Sequence, residues 1–388
     1  MEKERLIVQN FGPISYLDIE ILPLTIFVGT QGSGKSTVAK LLTICRDIRW
    51  WIQVLKEEDT MKPFIDFGIN EYFRHDSSFS YMNGEFTISF DNGQFSIKPH
   101  ASIVTDSIIK ELEHIITLSS ETLLDNTGLK DNPTDPHTQN LIKVNSRMGL
   151  YILAERNLVG NLSDSLASIL LHQIPLSKPL LEYMSLFEKA QKAFSSYEIP
   201  FFGVKFVKKE GRDRIELINK EKQLPLSACS SGLQSALPML MVIDYALKTR
   251  SFNNFVVEEP EQNLFPENQR EILGFFAQRL SGNVENRFVL TTHSPYLLSC
   301  LNVLMLAYRL HHSEQVRNES EKIIDTSYVV NPDSVVVYFL NPDGEQYCRN
   351  LISERTGLVS ENELDSISDT IGEEFNQLVK LYIKTLKK

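Results

Sequence analysis

Short apolar runs, each followed by a polar turn or an amphipathic segment, recur along the chain. Residues 24–28 are almost continuously apolar, as is typical of a strand buried on both faces, and a helical apolar spacing begins near Lys35. The runs at 148–154, 255–257 and 288–290 are of the same kind. Because these runs alternate with helical patterns, we expect an α/β fold with a largely parallel sheet flanked by helices.

Two other parts of the sequence follow different patterns. Residues 83–84 and 92–93 are Asn-Gly turns between alternating segments, which predicts a three-stranded antiparallel meander. A second hairpin is predicted over 204–219. Further predicted elements are strands over 5–9 and 15–22, helices over 102–124, 162–172 and 176–197, a loop over 127–139, and a helix through 247.

These patterns predict one main domain that is interrupted by an insertion. The expected parts are 1–54 as the first part of the main domain, 55–147 as an inserted β-meander and helical region, 148–340 as the remainder with a helical subdomain, and 341–388 as an acidic helical extension. The fold class therefore also includes an antiparallel β subdomain and a helical insertion.

Composition and charge exclude several classes of protein. The 388 residues are 42% hydrophobic and 23% charged, which fits a globular protein with a sizeable core. Acidic residues outnumber basic ones by 50 to 39, so a uniformly DNA-coating surface is not expected. The four cysteines have no zinc-site spacing. Without a signal-peptide pattern or a membrane-spanning apolar run, we expect a cytoplasmic location and no membrane partner.

Residues 29–36 match the phosphate-loop pattern G-x-x-x-x-G-K-[ST], between an apolar strand and an amphipathic helix. A chance match is expected in about one or two of a hundred chains of this length, and the strand and helix make it rarer. In such loops backbone N–H groups and the start of the helix bind phosphates. The sequence therefore predicts ATP and Mg²⁺ as ligands, with nucleotide-binding residues Gly29, Gly32, Ser33, Gly34, Lys35, Ser36 and Thr37.

An acidic cluster, Glu258-Glu259-Pro260-Glu261, follows the apolar run at 255–257. An ATPase needs one carboxylate for the metal and a second for the attacking water. We assign Glu258, together with Ser36, to Mg²⁺ and Glu259 to the water. The alternative is a solvated acidic turn that caps a helix.

Two further segments carry candidate chemistry. His293 follows the apolar run at 288–290, where a residue that senses the γ-phosphate would lie, although a lone histidine is more often a structural hydrogen-bonding residue. Residues 231–234 place a serine and a glycine at the start of a helix, a second phosphate-binding end or an ordinary N-cap.

The order of these four motifs resembles ABC-type ATPases, and within them the branch related to SMC and OLD proteins. The segments at 10–14, 152–156 and 258–266 are similar to prokaryotic anti-phage ATPases such as AriA of PARIS and PtuA of Septu. The likeness covers about 5–50 and 148–340. It implies Glu259 as the catalytic base, His293 as the switch histidine and Lys35 as the third catalytic residue. Ser231, Gly232 and Gln234 would be signature residues that act in trans.

Four positions near these motifs depart from the family pattern or stay open. Leu233 stands where the signature usually has a second glycine, and Glu258 stands where transporters usually have aspartate. Asn157, which follows the strand predicted at 148–154, is the candidate for the Q-loop residue. Arg156 is interpreted as either a phosphate ligand or a salt-bridge partner.

The resemblance implies an ATPase that acts as a homodimer or higher homo-oligomer, because each chain carries one phosphate loop and one signature. The predicted function is a nucleotide-dependent sensor and scaffold that controls a separate effector, a nuclease toxin, in antiviral defence. The alternative is an SMC-like ATPase of DNA repair or recombination. DNA contact through the basic hairpin at 205–214, and protein docking through the acidic segment 354–374, are kept as hypotheses beside solvated surfaces.

Overall fold

The computed structural model describes residues 4–84, 86–100, 148–162, 175–209, 212–218, 220–360 and 372–379. The helix predicted over 102–124, the loop predicted over 127–139 and nearly all of the helix predicted over 162–172 lie outside these residues. The acidic segment 354–374 is described only in part.

The described residues form fifteen strands, nine α-helices and six short 3-10 helices, and residues 372–379 are also helical. The strands are β1 (Glu4–Phe11), β2 (Ile14–Ile21), β3 (Leu24–Gly29), β4 (Ser78–Met82), β5 (Phe86–Asp91), β6 (Gln94–Pro99), β7 (Gly149–Ile152), β8 (Ser196–Ile199), β9 (Val204–Lys209), β10 (Arg212–Leu217), β11 (Lys220–Leu224), β12 (Asn254–Glu258), β13 (Arg287–Thr292), β14 (Val335–Leu340) and β15 (Cys348–Asn350). The helices are α1 (Lys35–Arg46), α2 (Ile48–Lys56), α3 (Lys62–Asp66), α4 (Leu158–Leu162), α5 (Lys178–Ala193), α6 (Ser231–Lys248), α7 (Pro266–Gly282), α8 (Pro295–His311) and α9 (Arg317–Ser320).

The central sheet has six strands in the order β15-β14-β3-β13-β12-β7. All neighbours are parallel except β15, which pairs antiparallel with β14 at the edge. Every residue of β3, β12 and β14 is buried, which explains why these strands are apolar runs without alternation. The predicted parallel-rich sheet is confirmed, although β14 and β15 were not predicted as its members.

The strand register brings three strand ends to one edge of this sheet. Glu258 at the end of β12 is level with Thr291 of β13, and Thr292 is level with Val28 at the end of β3. Because carboxyl ends of parallel strands share an edge, the segments that follow β3, β12 and β13 start side by side.

Two antiparallel sheets accompany the central one. The predicted meander exists as β4, β5 and β6, and it continues the hairpin of β1 and β2 into a five-stranded sheet because β4 pairs with β1. The predicted hairpin at 204–219 exists as β9 and β10, and it is flanked by β8 and β11 in a four-stranded sheet.

Aromatic side chains join the five-stranded sheet to the helices that follow the phosphate-loop segment. Phe64 of α3 packs against Trp50 of α2, with ring centroids 5.6 Å apart, and against Phe79 of β4 at 6.2 Å. Phe64 also contacts Phe11 of β1, and all four rings are buried. Burial of such rings is among the largest apolar contributions to a core, so this cluster fixes α2 and α3 against the sheet.

A buried ion pair fixes the end of α1. The Arg46 guanidinium donates to both carboxylate oxygens of Glu4 at 2.7 and 2.9 Å, and the Tyr81 hydroxyl donates to the same carboxylate at 2.8 Å. α1 is therefore tied to β1 and β4. Among the described residues, no helix combines the length and the apolar composition that a membrane crossing requires.

Candidate functional site

The segment 29–34 forms a tight loop between β3 and α1, and its glycines adopt positive φ angles. Gly34 has φ of +92°, and a Cβ there would collide with the Tyr347 hydroxyl. Gly29 has φ of +155°, and a Cβ there would collide with the Leu340 carbonyl oxygen. Both positions therefore require glycine, because the backbone passes β14 and the segment before β15 without space for a side chain.

The Tyr347 hydroxyl also donates to the Ser33 carbonyl oxygen at 2.6 Å, and Tyr347 is buried. This contact fixes the loop backbone to the segment that precedes β15. Tyr347 is not marked by any sequence motif, because its partner is a backbone carbonyl, which any residue type supplies.

Lys35 lies inside the loop with only 5% of its surface exposed. Its ammonium group donates to the carbonyl oxygens of Gly29 at 2.9 Å and Thr30 at 2.7 Å, and to the Ser33 hydroxyl at 3.3 Å. Burial lowers the pKa of Lys35 to about 8, while Glu259, Glu258 and Glu261 raise it. The loop therefore holds a partly desolvated cation at the place where the motif predicts phosphates.

The remaining predicted phosphate-binding residues lie in the same loop and in the first turn of α1. Gly32 has φ of +78° with open space where a Cβ would stand, and Ser36 is exposed in the first turn of α1. Ser33 and Thr37 are buried. Exposed glycine backbone at the start of a helix fits an anion such as a nucleotide phosphate.

Glu258 ends β12 and is 5% exposed. Its Oε2 atom accepts from the Ala154 amide at 3.3 Å, whereas its Oε1 atom is buried with no hydrogen-bond partner. A buried carboxylate oxygen without a partner is unfavourable unless a cation or donor completes it, so Glu258 fits the role of a metal ligand. Mg²⁺ takes one or two protein carboxylates and completes its shell with water and phosphate oxygens, so one buried carboxylate fits this ion.

Glu259 and His293 meet directly. The Glu259 Oε1 atom lies 3.1 Å from His293 Nε2, with 32% and 36% of the two side chains exposed. The hydrogen bond from His293 is the main cause of the lowered pKa of Glu259, and burial opposes it. An ionised carboxylate that is open to water and oriented by a histidine can accept a proton from water.

The Glu259 backbone is held in an unusual conformation beside β13. Its φ angle is +43°, and its amide donates to the Thr291 carbonyl oxygen at 3.0 Å. On the other side, Arg156 donates to the Glu258 and Glu259 carbonyl oxygens, each at 2.5 Å. The hydrogen bonds of Arg156 thus go to backbone carbonyls, so neither a salt bridge nor phosphate binding accounts for its position.

Glu261, to which the sequence analysis gave no role, supports the His293 turn. Its Oε1 atom accepts from the Thr292 hydroxyl at 2.5 Å and from the His293 amide at 3.3 Å, and its Oε2 atom is buried without a partner. Burial raises the pKa of Glu261. The third carboxylate of the Glu-Glu-Pro-Glu cluster therefore connects the turn after β12 to the turn after β13.

The segment proposed as the signature begins α6. Ser230 is the N-cap, and its hydroxyl accepts from the Leu233 amide at 3.4 Å. Ser231 is exposed, whereas Gln234 is buried and donates to the carbonyl oxygens of Ser227 at 3.1 Å and Cys229 at 2.8 Å. The side chain of Gln234 thus stabilises the segment at 227–229 that precedes α6.

Gly232 packs against the turn that follows Glu259. A Cβ at Gly232 would lie 2.7 Å from the Asn263 carbonyl oxygen and 3.1 Å from the Leu264 side chain. The start of α6 and this turn are therefore in close contact within one chain.

The fold has the predicted parallel-rich sheet with flanking helices and antiparallel sheets. Solved structures similar to this chain include an SMC head bound to the C-winged helix domain of ScpA, with 15% identity and a TM-score of 0.42. The SMC head domain from Thermotoga maritima has 14% identity and 0.37, and the Smc head domain bound to the C-terminal domain of ScpA, derived from Pyrococcus furiosus, has 12% and 0.38. Each alignment covers 77% of this chain and 92% of the other.

In the sequence comparisons, no curated protein matches the chain. The closer likeness to AriA of PARIS and PtuA of Septu stays a prediction. The sequence profile of one protein family matches residues 24–299, a span that includes the phosphate loop, the Glu258 strand end and His293. This match covers more than half of the 388 residues, and the chain therefore belongs to the family described as "AAA domain, putative AbiEii toxin, Type IV TA system".

Proposed function

We propose that this protein binds ATP and hydrolyses it to ADP and phosphate with Mg²⁺. The observation that carries this proposal is the pairing of Glu259 with His293 at 3.1 Å, at the sheet edge where Lys35 and Glu258 also lie. A lysine in a glycine loop, a metal-binding carboxylate, a basic carboxylate and a histidine are the groups that phosphoryl transfer to water requires.

Each group has a defined task in this mechanism. The amides of 32–37 bind the β- and γ-phosphates, and Lys35 turns from the loop carbonyls to the phosphate oxygens. Ser36 and Glu258 would hold Mg²⁺, which neutralises charge on those oxygens. Glu259 orients the attacking water and accepts its proton, and His293 holds the Glu259 carboxylate and contacts the γ-phosphate.

We further propose a homodimer, or a higher assembly of dimers, with nucleotide between the subunits. Ser231 and Gly232 of one copy would cover the nucleotide in the other, and Gln234 would shape that signature loop. Exposure of Ser231 at the start of α6 supports this arrangement, because a helix N-terminus attracts phosphate. In this proposal 1–54 and 148–340 form the ATPase domain, 55–147 is an insertion and 341–388 an extension.

The output of hydrolysis is then a conformational change that controls a separate effector, a nuclease toxin, in antiviral defence. The family description, which names a toxin and a toxin–antitoxin system, supports this reading.

An ATPase of DNA repair or recombination is the second candidate. The observation that favours it is the basic surface of β9 and β10, where Lys208, Lys209 and Arg212 are exposed. Phosphate backbone contacts require such cations.

The hydrolysis-dead variant Glu259→Gln tests the site. We expect ATP binding to persist, hydrolysis to fall by about 100-fold or more, and dimers to accumulate with ATP and Mg²⁺, because only water activation is lost. The matched control Glu285→Gln changes an exposed glutamate in the turn before β13, at the opposite end of that strand, and should hydrolyse ATP normally. Unchanged hydrolysis in Glu259→Gln would refute the assignment of the base, and a monomer under these conditions would refute the dimer.

A second experiment separates the two biological roles. ATP hydrolysis is measured with and without linear double-stranded DNA at physiological salt, and phage challenge compares cells with the natural protein and with Glu259→Gln. Loss of protection in the variant, with no response to DNA, supports the defence role. Strong stimulation by DNA ends without any effect on phage growth supports the repair role.

A further inference from the structure

Arg156 is completely buried in the single turn at 154–157 that follows β7. Arginine is rarely buried without a carboxylate partner, because its charge loses the solvation of water. Here the guanidinium donates to three backbone carbonyl oxygens, at 3.2 Å to Leu153 and 2.5 Å each to Glu258 and Glu259. Burial lowers the pKa of Arg156, because the charged guanidinium loses its contact with water. The contacts that the guanidinium makes must offset this unfavourable desolvation.

The two short bonds of Arg156 bracket Glu259. The Glu258 carbonyl belongs to the peptide group before the Glu259 Cα atom, and the Glu259 carbonyl belongs to the peptide group after it. Fixing both peptide planes sets the φ and ψ angles of Glu259. The amide of the first group is also held, through its bond to the Thr291 carbonyl at 3.0 Å.

This restraint acts on a conformation that a glutamate rarely adopts by itself. Glu259 has φ of +43°, in the left-handed region that disfavours residues with a Cβ atom. In that conformation its carboxylate meets His293. Without the bonds to its two flanking carbonyls, relaxation of the turn toward negative φ would turn the carboxylate away from His293.

Arginine is suited to this task by its geometry. Nη1 reaches the Glu258 carbonyl while Nη2 reaches the Glu259 carbonyl, and the planar guanidinium keeps the two donors apart at a fixed angle. A lysine has one nitrogen at the end of a flexible stem, so it cannot hold both peptide groups in the same way.

We propose that Arg156 is a positioning residue for ATP hydrolysis: it holds the Glu259 backbone in the left-handed conformation that aims the carboxylate at His293 and the attacking water. The inference rests on the proposed ATPase function. In this proposal Arg156 does not contact ATP, so its replacement should slow hydrolysis without weakening nucleotide binding.

The kinetic test compares Arg156→Ala and Arg156→Lys with the unaltered protein. ATP affinity should change little, whereas kcat should fall by about 100-fold in Arg156→Ala, since a misplacement of about 1 Å costs roughly that factor. Millimolar guanidinium ion should restore part of kcat in Arg156→Ala, but none in Glu259→Gln. The control Arg46→Ala removes another buried arginine, paired with Glu4, and should lower thermal stability while the folded protein keeps its kcat.

A spectroscopic test does not depend on hydrolysis. The ¹⁵N imidazole signals of His293, assigned with His293→Gln, report its hydrogen bond to Glu259 and should shift in Arg156→Ala and Arg156→Lys at constant pH. Arg156→Lys keeps a buried cation, so it serves if the alanine variant does not fold.

Two outcomes would overturn the inference: normal kcat with unshifted His293 signals in a folded Arg156 variant, or a loss of ATP affinity that equals the loss of hydrolysis. If the unaltered protein hydrolyses no ATP, the proposed function fails. The His293 shift would then still support positioning of Glu259 by Arg156, and its absence would overturn it.

Discussion

Raising the pH should weaken ATP binding through Lys35. In the free protein, burial lowers the pKa of Lys35 to about 8. Bound phosphate groups favour the charged ammonium, so in the complex the pKa returns toward or above its ordinary value of 10.5. Since the depressed pKa belongs to the free state, binding takes up a proton. ATP affinity is therefore complete below pH 8 and is lost as the pH rises through that value.

The size of the effect follows from the two pKa values. At pH 8 about half of the free molecules carry a neutral Lys35, so binding should take up about 0.5 proton, compared with about 0.1 at pH 7 and about 0.9 at pH 9. The dissociation constant should rise by about tenfold between pH 7 and pH 9, which equals about 1.4 kcal/mol.

Titration calorimetry with a non-hydrolysable ATP analogue and Mg²⁺ measures this uptake. Runs at pH 8 in two buffers with different ionisation enthalpies give the number of protons directly. Lys35→Arg is the control, because arginine stays charged throughout this range and should show no uptake in the same window. If the natural protein takes up no proton at pH 8, or if Lys35→Arg takes up as many, the reasoning about burial of Lys35 is refuted.

Two further predictions concern stability and the phosphate loop. Glu4→Gln should lower the free energy of urea unfolding by about 3 kcal/mol, because it leaves Arg46 buried without its carboxylate, whereas Asp18→Asn in an exposed pair should cost less than about 1 kcal/mol. Burial raises the pKa of Glu4, but the effect of Arg46 is larger and the pKa is lowered. The stability that the ion pair contributes is therefore present above about pH 4.5 and is lost as the pH falls through the lowered pKa. Equal losses of unfolding free energy in Glu4→Gln and Asp18→Asn would contradict this prediction. Tyr347→Phe should weaken ATP binding by about fivefold in an equilibrium assay, because a buried loop carbonyl loses its hydrogen-bond donor. The control Tyr338→Phe removes a hydroxyl that bonds to Glu20, outside the loop, and should leave the affinity for ATP unchanged. Equal affinities in the two variants would contradict this prediction.

The sequence predicted the strands of the central sheet better than their order. The runs at 24–28, 255–257 and 288–290 became β3, β12 and β13 because a strand covered on both faces must be continuously apolar. Apolar periodicity carries no information on which strands are neighbours, so the insertion of β14 beside β3 was not predictable from it. The same limit applies to the pairing of β4 with β1, which joins the meander to the N-terminal hairpin.

Within the candidate site, the predictable residues are those whose side-chain chemistry defines a motif. Lys35, Glu258 and His293 follow apolar strands in the sequence, and parallel strands share an edge, so their approach could be inferred. Arg156 and Tyr347 act on carbonyl oxygens, which every residue type has. No spacing or composition marks such a partner, and these contacts become visible only when the backbone is in three dimensions.

One consequence of the proposed dimer follows from the contact of Gly232 with the turn after Glu259. Within one chain, the start of α6 packs against the Asn263 carbonyl, and that turn is closed by bonds from Gln262 to Glu259 and from Leu264 to Glu261. In the dimer, the same helix end would face the nucleotide of the other subunit. A shift of the turn after Glu259 during hydrolysis at one site would therefore displace the start of α6, which covers the other site. Two sites coupled in this way would favour joint opening of the dimer over independent release, which suits an ATPase whose output is a change of assembly.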